Sequence, residues 1–135
     1  MAGRERGRPD GAPADPGGPL PAVDFDPRLD LSPFALFRRL AEGRPPLLID
    51  LRPGSRELTL AGALLLPNES WRPPFDADVV LFDADGGAAR EQARRLQTAG
   101  FPRVRALYGG LALYDFCLDP EVVGEERFLV RTGAR

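Results

Sequence analysis

The sequence predicts an α/β fold built on a parallel sheet, from two observations. Short, near-continuously apolar runs alternate with amphipathic helical stretches, as happens when strands are buried on both faces. The helical stretches also carry their own start and stop signals. A first helix is read over LSPFALFRRLAEG (31–43), with Ser32 as N-cap, Pro33 at the first helical position and Gly43 as the stop. Phe34, Phe37, Leu40 and Ala41 are expected to share its inner face. Pro45 and Pro46 break the chain. LLIDL (47–51), ALLL (63–66), DVVLF (78–82) and VRAL (104–107) then read as buried strands. AAREQARRLQTAG (88–100) reads as a helix with Ala89, Ala93, Leu96 and the Ala99–Gly100 end inward. GLALYDFCL (110–118) reads as a helix with Leu113, Phe116 and Cys117 inward.

Residues 1–22 are dominated by Pro, Gly, Ala, Arg and Asp, too polar to offset their ordering entropy, and are read as a solvated tail. The folded domain is placed at 23–135. Its C-terminal stretch, 122–135, is expected to dock as an edge strand or to lie along the domain.

Composition excludes much chemistry. The 135 residues contain no His and no Lys, and the only Cys is Cys117. A Ser-His-Asp triad, a Cys-His dyad, a Schiff-base lysine, a P-loop, an internal disulfide and a Cys-rich zinc site all lack their residues. No metal site and no cofactor are expected. The net charge of −2 gives no global basic field for nucleic acid or an anionic membrane, and no apolar run is long enough to span a bilayer. With no disulfide framework and no apolar leader, a cytoplasmic setting is expected. The all-Arg, Ala- and Gly-rich usage suggests a GC-rich, bacterial genome.

In an open parallel sheet the reactive crevice lies beyond the carboxyl ends of the strands. The loop after DVVLF is therefore the first candidate site: Asp83, Ala84, Asp85, Gly86, Gly87 and Ala88. Its two glycines suit positive φ or an anion-holding backbone nest. Asp50 and Arg52, at the end of an earlier strand, would line a pocket or tie strand end to loop; the tie is preferred.

Several ordered motifs resemble a rhodanese domain, the sulfurtransferase fold. LLIDLRP (47–53) is similar to the family's strand ending in Asp and Arg, here Asp50 and Arg52. GALLLP (62–67) is similar to its GAxxxP segment. VVLFDADGGAAREQARRL (79–96) resembles its active strand, loop and helix, and AGFPRVRALYGGLALY (99–114), with Gly109 and Gly110, resembles its closing motif. The likeness spans about residues 31–120. It implies a three-layer fold, a central parallel sheet of about five strands flanked by helices on both faces, with VDF (23–25) as the first strand.

The departures decide the expected chemistry. The family's nucleophilic Cys opens the active loop, and the resemblance places Asp83 there. A carboxylate cannot carry a persulfide. It is itself an anion, suited to accept the loop N–H groups that would hold a thiolate. Ala88 and Ala89 stand where active members often carry Arg and Ser. The segment between Arg52 and Gly62 is shorter than usual and lacks the usual His. The chain is thus expected to be a catalytically inactive member, an interaction or regulatory module for an unknown protein partner, with a link to sulfur metabolism. The vestigial loop, Asp50, Arg52, Gly109 and Gly110 are its marked positions.

Two alternatives are enzymatic. Cys117 could serve as nucleophile, although packing is the simpler reading of a cysteine on an inward helix face. VVLFDADGG (79–87) also resembles the first motif of haloacid-dehalogenase-type phosphatases, with Asp83 as nucleophile and Asp85 as acid/base. That family needs a downstream Lys, absent here, and a later acidic pair for Mg²⁺. Trp71 is a partner anchor or a cap on the sheet edge. Arg90, Arg94 and Arg95 are expected on a solvated face, with Glu91 pairing to Arg95.

Overall fold

The computed structural model describes residues 24–52, 58–66, 68 and 70–131. The tail 1–22, Val23 of the expected first strand, Pro53 and Pro67 of the matched motifs, and the last four residues lie outside the described residues. In chain order the elements are β1 (Asp30–Leu31), α1 (Pro33–Ala41), β2 (Leu47–Asp50), β3 (Leu58–Leu60), β4 (Leu64–Leu65), β5 (Val79–Phe82), α2 (Gly87–Thr98), β6 (Val104–Leu107), α3 (Gly110–Cys117), α4 (Pro120–Val123) and β7 (Leu129–Arg131).

Five strands form one sheet in the order β1-β6-β5-β2-β4, and every neighbouring pair is parallel. β5 is central and fully buried. Its residues alternate between the two faces, as the period of two in a strand requires. Val80 and Phe82 join Leu36 of α1 and Leu111, Tyr114 and Leu118 at α3 in one apolar core. Val79 and Leu81 join Ala89, Ala93 and Leu96 of α2 in the other. The result is three layers: α1 and α3, the sheet, and α2. A separate antiparallel pair, β3 with β7, docks the C-terminal stretch.

The expected first strand is displaced. Residues 24 and 25 are not strand, and β1 begins at Asp30. A tight turn explains the shift, since Leu29 and Asp30 donate N–H to the Asp26 carbonyl at 2.9 and 2.7 Å. β4 is a two-residue edge strand whose Leu64 and Leu65 are exposed, not a buried strand. With a single neighbour, only one side of it meets the sheet.

The helix faces also need correction. In α1 the buried positions are Pro33 and Leu36, with Phe37 and Leu40 half-buried; Phe34 and Ala41 face outward. The true stripe is 33, 36, 37 and 40, which counts Pro33 as an apolar contact. Ala99 and Gly100 are exposed, because α2 ends at Thr98 before them. In α3 Phe116 is exposed and Cys117 half-buried, while Leu111, Leu113 and Tyr114 turn inward. Tyr114 is fully buried, and its hydroxyl donates to the Arg127 carbonyl at 2.7 Å, fastening the approach to β7.

Helix ends follow the sequence signals closely. The Ser32 hydroxyl accepts from the Ala35 N–H at 3.1 Å, and Gly43 takes positive φ beyond α1. Ser32→Ala is expected to cost about 1 kcal/mol, the usual value of a lost N-cap, read as a lower urea midpoint with an unchanged slope. Half-buried Trp71 packs against the core on the α2 side of the sheet.

Candidate functional site

The loop after β5 sits where the sheet topology places it, at the carboxyl end of the central strand. α2 begins at Gly87, and its N-cap, Gly86, has no side chain to offer the free N–H groups of the first turn. The two aspartates of the loop supply the acceptors instead. Asp83 takes the Gly86 N–H on Oδ1 at 2.6 Å and the Ala88 N–H on Oδ2 at 2.9 Å. Asp85 takes the Gly87 N–H at 3.0 Å. Three consecutive backbone donors at a helix N-terminus thus end on two carboxylates, which also complement the helix dipole. Asp83 is buried and Asp85 exposed.

The loop's carbonyls are taken as well. Leu111 and Ala112, at the start of α3, donate N–H to the carbonyls of Asp83 and Ala84, each at 3.0 Å. This contact requires Gly109 and Gly110. Both have positive φ, 73° and 66°. A Cβ on Gly110 would lie 2.6 Å from Ala84 and Asp85 backbone atoms, and one on Gly86 would lie 3.0 Å from the Gly109 nitrogen. The Gly-Gly pair is therefore the seat on which the loop rests. No spacing rule singles out the Leu111 and Ala112 donors, because main-chain hydrogen bonds leave no mark on residue type.

Asp50 and Arg52 reach the same end of the sheet, since Asp50 pairs in register with Phe82. They act as a tie. The buried Asp50 carboxylate accepts from the Arg52 N–H and Nε at 3.0 Å each, from a terminal Arg52 nitrogen at 2.9 Å, and from the Thr59 hydroxyl at 3.0 Å. Arg52 also donates to the Leu58 carbonyl at 2.6 Å. Burial alone would push the Asp50 carboxyl up; the Arg52 and Thr59 hydrogen bonds and the Arg52 charge outweigh it and hold it below the ordinary range. Thr59, on β3, was not singled out by the sequence.

Arg90 corrects another expectation. It is not on a solvated face but pairs with buried Asp30 at 3.2 Å and donates to the Asp24 carbonyl, joining α2 to β1. Arg94 and Arg95 do lie outward and pair with Glu91, at 3.4 and 3.7 Å.

Cys117 is not brought to the loop. It closes α3, about 10 Å along the helix axis from Gly110 at ~1.5 Å per residue. Burial pushes its thiol up, away from the reactive range. Among the described residues no group of three His, Cys, Asp or Glu side chains is placed to hold a metal ion. Among them, too, no helix is long and apolar enough to cross a membrane.

Solved structures share this architecture. The reduced CoADR-RHD of Bacillus anthracis superposes with a TM-score of 0.57 at 22% identity, over 76% of this chain and 18% of that one. The rhodanese-like domain of an Anabaena sp. protein superposes with a TM-score of 0.55 at 25% identity, over 71% of this chain and 78% of that one. The chain has a rhodanese-like fold. This chain spans less than a fifth of the Bacillus anthracis chain. No protein-family profile matches the sequence, and no curated protein does.

Proposed function

We propose that this rhodanese-like domain, taken as residues 23–135 behind a solvated tail, has no sulfurtransferase activity and works as an interaction or regulatory module for a protein partner. One observation carries the reading: both oxygens of Asp83 accept N–H groups of the very loop that would cradle a thiolate. The carboxylate is at once the substitute for the nucleophile and the occupant of its anion site. An anionic sulfur donor would meet spent donors and a like charge, and could form no bond to sulfur.

The phosphatase reading is disfavoured by the same geometry. Asp83 spends both of its oxygens and Asp85 one on the start of α2, so the DADG segment works as a helix cap. A Cys117 route is disfavoured by the thiol's raised pKa and its remoteness from the loop. The exposed Leu64 and Leu65 on β4 offer an apolar sheet edge to a partner. A place in sulfur metabolism is analogy from the fold.

Thiosulfate:cyanide sulfurtransferase assays on the wild type and Asp83→Cys test the proposal. No turnover is expected from the wild type. Turnover is expected from Asp83→Cys, because the Gly86 and Ala88 N–H groups would then stabilise a thiolate. Wild-type turnover abolished by Cys117→Ala would overturn the inactive reading in favour of the thiol route.

A further inference from the structure

The opposite pole of the sheet carries a second concave surface. A cleft of about 510 Å³ is lined by Pro27, Arg28, Asp78, Gln97, Pro102, Arg103 and Arg105. Asp78 precedes β5 and Arg103 precedes β6, so the length of a strand, about 13 Å at ~3.3 Å per residue, separates this cleft from the Asp83 loop.

Its charge runs against that of the chain. Three arginines and one aspartate line it, while the whole sequence is net negative. Asp78 is the hub. It pairs with Arg39 of α1, and with Arg103 at 3.5 Å and Arg105 at 4.0 Å. Each guanidinium offers five N–H donors, whereas one carboxylate has about four lone-pair sites, so three guanidiniums cannot be satisfied by Asp78 alone. Arg103 adds only a long 3.4 Å contact to the Asp76 carbonyl, and Arg28 pairs loosely with Asp26 at 3.6 Å.

One side chain holds two walls of the cleft together. Gln97 donates to the carbonyls of Arg28 and Val104, at 2.7 and 2.8 Å, stapling two walls together. The Asp78 carboxylate draws Arg103 and Arg105 toward it only through long ion pairs, at 3.5 and 4.0 Å. α1 and α2 both end at this pole, and their carboxyl-terminal dipoles draw on the positive field. Arg38 and Arg39 stand in the last turn of α1 and Arg95 in that of α2, where a cation is favoured, although Arg39 also pairs with Asp78 and Arg95 with Glu91.

We propose that this cleft binds a tetrahedral oxyanion, a phosphoryl or sulfuryl group, on Arg103, Arg105 and Arg28. Planar guanidinium forks match such oxygens two at a time. Pro27 and Pro102 give an organic carrier of that group an apolar wall.

Amide chemical shifts of the full chain, titrated with inorganic phosphate, sulfate and adenosine monophosphate, test this. Saturable shifts at Arg28, Arg103, Val104 and Arg105, with Asp83 to Ala88 unmoved, are expected. Affinity at least fivefold lower is expected in Arg103→Gln/Arg105→Gln, with unchanged thermal stability. Arg105→Lys, which keeps the charge and loses the fork, should fall between. Tighter binding of the nucleotide than of either inorganic ion would identify an organic carrier; equal binding would identify the free oxyanion. Unsaturable shifts, undiminished affinity in the double variant, or binding of a hexaglutamate peptide without phosphate would each overturn the proposal.

Discussion

Gly110→Ala is expected to destabilise the domain by about 3 kcal/mol, a large share of the ~5–15 kcal/mol that holds such a domain together. Two costs add. The residue has φ of 66°, where an L side chain pays about 1–2 kcal/mol. Its Cβ would also stand 2.6 Å from the Ala84 carbonyl and the Asp85 nitrogen. Those are main-chain atoms held by the Leu111 and Ala112 hydrogen bonds, and overpacking against such a rigid neighbour adds about 1–3 kcal/mol. Gly43→Ala is the control. It too has positive φ, 75°, but its Cβ would meet open space, so only the conformational cost of about 1 kcal/mol remains. Urea midpoints of the two variants separate strain from collision. Equal losses would show that the loop does not press on α3. In an Asp83→Cys background, Gly110→Ala should also lower any sulfurtransferase turnover, because the N–H cradle rides on the displaced loop.

Asp50→Ala is expected to cost about 3 kcal/mol, the lower end of breaking a buried ion pair. It strips the acceptor from three Arg52 donors and the Thr59 hydroxyl. Asp50→Asn keeps the shape and part of the hydrogen bonding, and should cost less. The pH dependence has a definite sign. The folded-state carboxyl is held below its ordinary value, so its contribution is complete above the unfolded pKa. It is lost as pH falls through the folded pKa, below about pH 4. The stability gap between wild type and Asp50→Asn should be constant from about pH 5 to 8 and narrow below pH 4. A gap that widens on acidification would mean that burial, not Arg52, governs this group.

The central strands β2, β5 and β6 were the most legible part of the sequence. A strand buried on both faces must be apolar throughout, so VVLF announces itself. The helix caps at Ser32 and Gly43 were equally plain, because they depend on one side chain or one backbone angle. Helix faces were less so. Phe34 and Phe116 are large and apolar yet exposed, while Pro33 and Tyr114 took their places inside. Hydrophobicity names candidates for the core, but the neighbouring layer selects among them. The site was half legible. Asp83 at the head of the loop after β5 could be read from its motif context. Its capture of the Gly86 and Ala88 N–H groups follows from an anion placed at a helix start. Asp30 with Arg90 was hidden, because the partners stand about 60 residues apart and each looks like a surface charge.

The strand order carries a consequence for the sequence of events in folding. β1 has one neighbour in the sheet, β6, which the chain reaches roughly 75 residues later. β5 likewise lies between β2, already made, and β6, still to come. During synthesis the first strand must wait, unpaired, until almost the whole domain has left the ribosome. The sheet should therefore close late and slowly, as non-local parallel pairings do. A nascent chain halted before residue 104 would leave one side of β5 open to any other strand it meets, which makes that stretch the domain's main point of exposure to misassembly.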